Sequence, residues 1–198
     1  MQTLIIETAT EKGTLILASG PIPIAVRFLA GGPELSRTLA AEVKNLLDEH
    51  HFRPNLIAVG RGPGSFTGIR VGLALGQALS FGWKIPLAGF ASLQPFAPPV
   101  DGPFAVLFDA RSGGFYTQFG EKKEGKYSFD TPFLLPLSQA EEALKKIDAI
   151  GSPHPLLIQQ RLKSVKKFFE TKPDPLLLAQ IVAESPDASA LPFYCSNP

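Results

Sequence analysis

The sequence has little of what disulfide-rich, membrane-spanning or strongly charged proteins contain. Its single cysteine, Cys195, excludes an internal disulfide and a cysteine-based zinc site, which fits a reducing compartment. It has no stretch of about 18 apolar residues that could span a membrane. The formal net charge is only +1 at pH 7, so a nucleic-acid or membrane partner would have to meet a local patch. Because Glu7, Glu11 and Lys12 stand where a signal peptide would have its apolar core, a cytoplasmic protein is expected.

Apolar residues, in contrast, are plentiful. A hydrophobic content of 44% with 15 phenylalanines allows a core for one domain or for two small lobes. Alternating and helical apolar spacings predict elements in the order β-β-β-α-β-α-β. The predicted elements are strands Thr3–Glu7, Gly13–Ala18 and Ile22–Leu29, helix Ser36–His50 capped by Ser36, strand Leu56–Val59, helix Ile69–Trp83 and strand Ile85–Ala88. This order predicts an α/β fold with a mixed sheet covered by helices, the ribonuclease-H-like or actin-like arrangement.

A proline-rich stretch, residues 94–103, interrupts the pattern and predicts two lobes, at 1–97 and 98–198. Beyond it, residues 106–111 repeat the pattern of residues 4–9, and residues 147–151 repeat that of 56–60. Two echoes in the same order indicate a duplicated fold, although a strand followed by an acid and a turn is also a common pattern. The glycine-rich loop of the first copy has no counterpart in the second.

That loop, residues 60–70, reads Gly-Arg-Gly-Pro-Gly-Ser-Phe-Thr-Gly-Ile-Arg and joins a predicted strand to a predicted helix. Glycines let backbone N–H groups approach a ligand, and a helix N-terminus attracts anions, with Ser65 or Thr67 available as the N-cap. The candidate anion or nucleotide residues are Gly62, Gly64, Ser65, Phe66, Thr67, Gly68 and Arg70. A tight turn whose glycines serve only helix–sheet packing explains the loop equally well.

The loop matches none of the common catalytic motifs. A Walker A loop needs Gly-Lys-Ser/Thr, but Gly68 is followed by Ile69. A nucleophile elbow needs glycines on both sides of Ser65, where Pro63 and Thr67 stand. The glycine spacing also differs from the dinucleotide fingerprint. No catalytic residue is therefore assigned.

Two acids, Glu7 and Asp109, stand at corresponding strand ends and are candidate cleft acids. Facing a nucleotide together, they would favour a small-molecule kinase of the actin-like fold, although strand-end carboxylates more often cap a turn. The histidines His50, His51 and His154 form no pair with ligand spacing, so no metal site is predicted. No tightly bound cofactor is expected, and a nucleotide could bind only weakly at an interface.

The two predicted helices suggest a contact surface. Gly68, Gly72, Gly76 and Ser80 recur every four residues, and because each helical glycine costs about 0.8–1 kcal/mol relative to alanine, a close contact should compensate. The contacting element is either the chain's own first helix or sheet, or another chain. The candidate partner interface consists of Leu39, Val43, Leu46, Leu47, Gly72 and Gly76.

Residues 60–72, 6–10, 108–111 and 190–194 together closely resemble the TsaB family, also called YeaZ. The resemblance implies a bacterial protein with two lobes of the actin-like ATPase (ASKHA) fold, the second reduced because the chain is short for the family. It implies a role in forming N6-threonylcarbamoyladenosine at position 37 of tRNAs that read codons beginning with A, without performing the transfer. The family's partner TsaD holds the active site and TsaE supplies an ATPase, and the helical face would meet TsaD or, in its absence, a second copy. Glu7 departs from the family, which usually has aspartate there.

A tRNA-contacting adaptor is a further alternative to this scaffold role. Its support is a basic segment comprising Arg161, Lys163, Lys166, Lys167 and Lys172. A solvated helix face is the commoner explanation of such spacing, and the scaffold role implies only indirect contact with tRNA.

Overall fold

The computed structural model describes residues 1–10, 12–111, 113–162, 167–184 and 191, which form two compact units. The first unit contains Met1–Ser92 and a helix near the C-terminus, and the second lies within Leu93–Pro173. The division therefore falls between Ser92 and Leu93 rather than between residues 97 and 98. The C-terminal helix, which the predicted division assigned to the second lobe, belongs to the first unit.

The described chain combines strands and helices in an α/β arrangement. The strands are β1 (Gln2–Glu7), β2 (Gly13–Ser19), β3 (Ile22–Leu29), β4 (Leu56–Gly60), β5 (Leu87–Phe90), β6 (Gly102–Asp109), β7 (Gly114–Lys123), β8 (Lys126–Phe129), β9 (Phe133–Pro136), β10 (Ala149–Ser152) and β11 (Phe168–Glu170). The helices are α1 (Pro33–Glu49), α2 (Phe66–Trp83), α3 (Leu137–Ala143), α4 (Pro155–Arg161) and α5 (Pro175–Glu184). Among the described residues, no helix has both the length and the apolar character needed to cross a membrane.

The sheet of the first unit has the strand order β3-β2-β1-β4-β5, with β1 antiparallel to β2 and parallel to β4. Because side chains alternate along a strand, Leu4 and Ile6 of β1 face one side and Ile5 faces the other. Helices α1 and α2 pack on the side of Leu4 and Ile6, whereas α5 packs on the side of Ile5. The first unit is thus a three-layer structure with a buried central sheet.

Local sequence explains where the main helices begin. Ser65 caps α2 as predicted, since its hydroxyl accepts a hydrogen bond from Gly68 N–H at 3.3 Å. The prediction that Ser36 caps α1 is wrong, because this helix begins at Pro33, where proline suits the first turn, after Gly32. Sequence reasoning missed α5, although Asp174 followed by Pro175 marks its start. The Asp174 carboxylate accepts from the N–H groups of Leu176 and Leu177.

The second unit repeats the topology of the first. Its sheet has the order β11-β10-β6-β7-β8, in which an antiparallel set of three strands is followed by parallel β10 and β11, and β9 also pairs with β7. Its helices α3 and α4 have 7 residues each, against 17 and 18 in α1 and α2. The prediction of a two-lobed actin-like α/β fold with a reduced second lobe is confirmed.

Candidate functional site

The glycine-rich loop is held against the turn that follows β1. The Ser65 N–H donates to the Ala9 carbonyl at 2.7 Å, and the Thr8 hydroxyl donates to the Gly68 carbonyl at 2.8 Å. These two bonds fix the N-cap and the first turn of α2 to residues 8 and 9. The loop therefore takes its shape from the carboxyl end of a neighbouring buried strand.

Close packing within the chain accounts for the loop and helix glycines. A Cβ at Gly64 or Gly68 would overlap the carbonyl oxygens of Ala9 and Thr8, respectively. A Cβ at Gly72 would overlap the Thr8 hydroxyl, and one at Gly76 would lie 2.5 Å from Cγ1 of Val59. The compensating contact predicted for the glycine series is thus made within the chain, by the turn after β1 and by β4 of the sheet. This corrects the assignment of Gly72 and Gly76 to a partner interface and supports the packing explanation of the loop.

The other end of the loop is hydrogen-bonded to Ser92, two residues after the end of β5. Gly62 N–H donates to Ser92 Oγ at 3.0 Å, and Ser92 N–H donates to the Gly62 carbonyl at 2.9 Å. Ser92 is fully buried, and Gly62 takes a positive φ of 91° that favours glycine. Both ends of the glycine loop are therefore anchored inside the first unit. Anion binding by the loop stays a prediction.

Glu7 is buried beneath this loop. Its side chain is fully buried, and Oε1 accepts a hydrogen bond from Ala9 N–H at 2.5 Å. Oε2 has no hydrogen-bond partner among the described residues, and a Cβ at Gly60 would overlap it. Ser92 lies beside Oε2, although no hydrogen bond of normal geometry joins them. The prediction that Glu7 faces a cleft is therefore wrong, because the adjoining strands and loop cover its carboxyl.

Burial raises the pKa of the Glu7 carboxyl from 4.5 to about 7, because desolvation outweighs the lowering by Ala9 N–H, the Ser92 hydroxyl and Thr8 N–H. The folded protein consequently keeps a proton that the unfolded chain releases at lower pH. The protonated Glu7 carboxyl therefore contributes to the free energy of unfolding. This contribution is complete below about pH 4.5 and is lost as the pH rises through about 7.

We expect Glu7→Gln to remove this pH dependence, because an amide does not ionise. Between pH 5 and pH 8, the difference in free energy of unfolding between variant and wild type should move by about 2 kcal/mol in favour of the variant. Urea denaturation at a series of pH values measures this change. If the free energies of unfolding of wild type and Glu7→Gln changed in parallel with pH, the assignment of this pH dependence to Glu7 would be contradicted.

Asp109 caps a turn in the second unit. Its Oδ1 accepts from Arg111 N–H at 3.0 Å and forms an ion pair with Arg161. The Arg161 guanidinium also lies 4.9 Å from the centre of the Phe115 ring. Asp109 and Glu7 thus share one local role, since each carboxylate accepts from the N–H two residues later. The turn-capping explanation of these acids is supported. The negative charge of Asp109 is also paired with Arg161 of the same unit.

The predicted basic segment is described only in part. Arg161 is engaged by Asp109, and Lys163 and Lys166 lie outside the described residues. Within the described ranges, no three histidine, cysteine, aspartate or glutamate side chains form a group that could hold a metal ion.

The apolar face of α1 belongs to the core of the first unit. Leu39, Val43 and Leu46 are only 1–2% exposed and pack with the sheet and α2, while Leu47 is partly buried against the same cluster. The prediction that these residues form a partner interface is corrected, because they already cover the chain's own sheet.

The exposed apolar surface of this region lies on the side of α2 that faces away from the sheet. It comprises Phe66, Arg70, Ala74, Ala78 and Phe81, which we call the α2 stripe. Phe66 is 55% exposed and Phe81 is 88% exposed, and the Arg70 guanidinium lies 3.8 Å from the centre of the Phe66 ring. Sequence reasoning noted Ala74 and Ala78 only as neighbours of the glycine series and overlooked Phe81, although their spacing from Phe66 places them all on one helix face.

The fold is that of a two-lobed actin-like protein. The solved structure of YeaZ from Pseudomonas aeruginosa matches with a TM-score of 0.81, covering 98% of this chain and 99% of that chain at 22% identity. The family model of TsaD, tRNA N6-adenosine threonylcarbamoyltransferase, matches residues 33–160, more than half of the chain.

Curated TsaB proteins show higher sequence identity. TsaB of Escherichia coli is 42% identical over 124 residues, covering 59% of this chain and 53% of that protein. TsaB of Haemophilus influenzae is 49% identical over 101 residues, covering 48% and 41%, and TsaB of Bacillus subtilis is 36% identical over 89 residues, covering 42% and 39%. The chain thus matches about half or less of the length of these relatives. It belongs to the family that the TsaD model describes, and its sequence is similar to those of TsaB proteins, in line with the predicted resemblance.

Proposed function

We propose that this chain is a non-catalytic subunit required, with a TsaD-type and a TsaE-type protein, to form N6-threonylcarbamoyladenosine at position 37 of tRNAs that read codons beginning with A. The observation that carries this proposal is the exposed α2 stripe, an apolar helix face that begins at an internally anchored loop. Exposed aromatic side chains on one face mark a surface suited to protein contact. The family membership supplies the reaction in which that contact would serve.

The positions of the two acids favour a scaffold over a kinase. Glu7 is buried with one carboxylate oxygen on the backbone, and Asp109 is paired with Arg161. A kinase would need acids turned toward bound phosphates, and neither side chain is arranged in this way. The proposal accordingly assigns no catalytic residue and no tightly bound cofactor to the chain.

The partner at the α2 stripe would be the TsaD-type subunit. Apolar and aromatic side chains supply most of the stripe, and Arg70 supplies one positive charge, so a complementary face would be apolar with an acidic or aromatic group near Arg70. Without that subunit, a second copy would occupy the same stripe through a two-fold contact. TsaE and tRNA would then be met only through the assembled complex.

Phe81→Glu should weaken binding to the TsaD-type subunit at least tenfold, equivalent to about 1.4 kcal/mol, because a desolvated carboxylate would replace an exposed aromatic anchor. Phe28→Glu is the matched control, since Phe28 is 57% exposed but lies on β3 rather than on α2. Isothermal titration calorimetry with purified partner measures both affinities. Unchanged binding by Phe81→Glu, or an equal loss in both variants, would contradict the proposed interface.

A further inference from the structure

Glu7 occupies the point at which both anchors of the glycine loop meet. Its Oε1 binds the Ala9 N–H, and the same turn supplies the Ala9 carbonyl to Ser65 and the Thr8 hydroxyl to Gly68. One carboxylate oxygen therefore fixes the short segment that holds the N-cap and first turn of α2. Phe66 and Arg70, the first two residues of the α2 stripe, lie on that turn and the next one.

The second carboxylate oxygen lies next to the other anchor. Oε2 is buried beneath Gly60, beside Ser92, and Ser92 exchanges two hydrogen bonds with Gly62. A neutral Glu7 can donate its proton toward Ser92 Oγ, whereas an ionised Glu7 can only accept. Because no hydrogen bond of normal geometry reaches Oε2 among the described residues, ionisation of Glu7 would place a buried charge without a donor at this oxygen, next to the Ser92–Gly62 pair.

Among the described residues, burial and hydrogen bonds to neutral groups determine the pKa of this carboxyl, and the neighbours identified around it are uncharged. Thr14 of β2 lies directly opposite Glu7, and its hydroxyl also lacks a partner among the described residues. The carboxyl lies next to Gly60 at the end of β4 and Ser92 in the segment after β5, and α5 presents Leu178, Ala179 and Val182 to this side of the sheet. None of these side chains titrates, so a change in the charge of Glu7 must be accommodated by the neutral hydroxyls and by the loop.

We propose that Glu7 is a positioning residue for α2, and that its protonated form holds the first turn of this helix in the geometry that the partner of the α2 stripe recognises. Loss of the proton shifts the Ser92–Gly62 pair and the turn at residues 7–9, and weakens partner binding. The second part of this inference rests on the proposed function. The first part concerns the isolated chain and can be tested without any partner.

The first test is an NMR titration of the wild-type chain from pH 5 to pH 9. The carboxyl ¹³C shift of Glu7 should titrate near neutrality, because burial raises its pKa to about 7, and the amide shifts of Gly62, Ser65 and Gly68 should follow with the same midpoint. Glu7→Gln should abolish these amide titrations while its spectrum stays close to that of the wild type at pH 5. A Glu7 carboxyl that does not titrate in this range, or one that titrates without moving the Ser65 and Gly68 amides, would overturn the inference.

The second test measures the dissociation constant for the TsaD-type subunit at pH 6 and pH 8. From pH 6 to pH 8, the dissociation constant of wild type should rise at least threefold more than that of Glu7→Gln. Comparing the two proteins cancels the effect of groups on the partner that titrate in this range. An identical pH response in both proteins would overturn the link between Glu7 and binding. Absence of binding at every pH would instead refute the proposed function, and the amide titration would then decide the positioning role alone.

Discussion

Val43→Glu should unfold the first unit or destabilise it by about 4 kcal/mol or more, because an unpaired carboxylate would enter a packed core. Val43 is 2% exposed and packs between the sheet and α2, together with Leu39 and Leu46. Small domains are stable by only about 5–15 kcal/mol, so this loss is a large share of the total. Circular dichroism during urea denaturation gives the change in free energy of unfolding.

Ala40→Glu is the matched control for this substitution. Ala40 lies on the same helix but is exposed, between Arg37 and Lys44 at helical spacing, so a glutamate there should change stability by less than about 0.5 kcal/mol. A Val43→Glu variant that unfolds like wild type would show that this face of α1 is not core. Such a result would support the prediction that Leu39, Val43 and Leu46 belong to a partner interface.

The second large effect is expected at Gly68. Gly68→Ala would place a Cβ on the Thr8 carbonyl oxygen, and a backbone atom cannot move aside as the end of a flexible side chain can. We expect a loss of about 3 kcal/mol, at the upper end of the range for overpacking. The first turn of α2 and the Thr8 hydrogen bond should be disturbed together, and thermal unfolding measures the loss.

Gly82→Ala provides the opposite expectation on the same helix. A Cβ at Gly82 would meet nothing within 4 Å, so alanine should raise stability by up to about 1 kcal/mol through its higher helix propensity. Similar changes for Gly68→Ala and Gly82→Ala would mean that the loop glycines are not required by packing. Anion binding would then regain support as the reason for the glycine series.

Hydrophobic spacing predicted α1 correctly but not what covers it. A period of 3.6 residues shows that Leu39, Val43 and Leu46 share a face, yet the same spacing arises whether the chain's own sheet or another protein covers that face. The sheet that α1 covers is assembled from strands distant in sequence, so the sequence alone could not decide. The opposite side of α2 carries a signal in the sequence, because the spacing of Phe66 and Phe81 places both on one helix face.

The glycine loop shows a similar limit. Its position between β4 and α2 and the capping role of Ser65 followed from the sequence. The contacts of Gly64 and Gly68 with residues 8 and 9 did not, because they join segments about sixty residues apart. Glycines for close packing and glycines for an anion have the same spacing, and only the three-dimensional neighbours distinguish them.

The sequence predicts where the two strand-end acids lie along the chain but not which residues surround them. Glu7 and Asp109 do occupy equivalent positions in two units of like topology, as the internal echoes predicted. Burial of Glu7 depends on Gly60 and Ser92 closing over its carboxyl, and neither residue is near it in sequence. The pairing of Asp109 with Arg161 is likewise a long-range contact.

The most direct test of the proposed role is reconstitution of threonylcarbamoyl transfer to tRNA with purified TsaD-type and TsaE-type proteins, with and without this chain. Product should form only when all three proteins are present, and Phe81→Glu should lower its yield in proportion to lost complex, whereas Phe28→Glu should not. The chain alone should give no product and no appreciable ATP turnover. Full transfer by the TsaD-type and TsaE-type proteins without this chain, or ATP turnover by this chain alone that Asp109→Asn abolishes, would contradict the scaffold account.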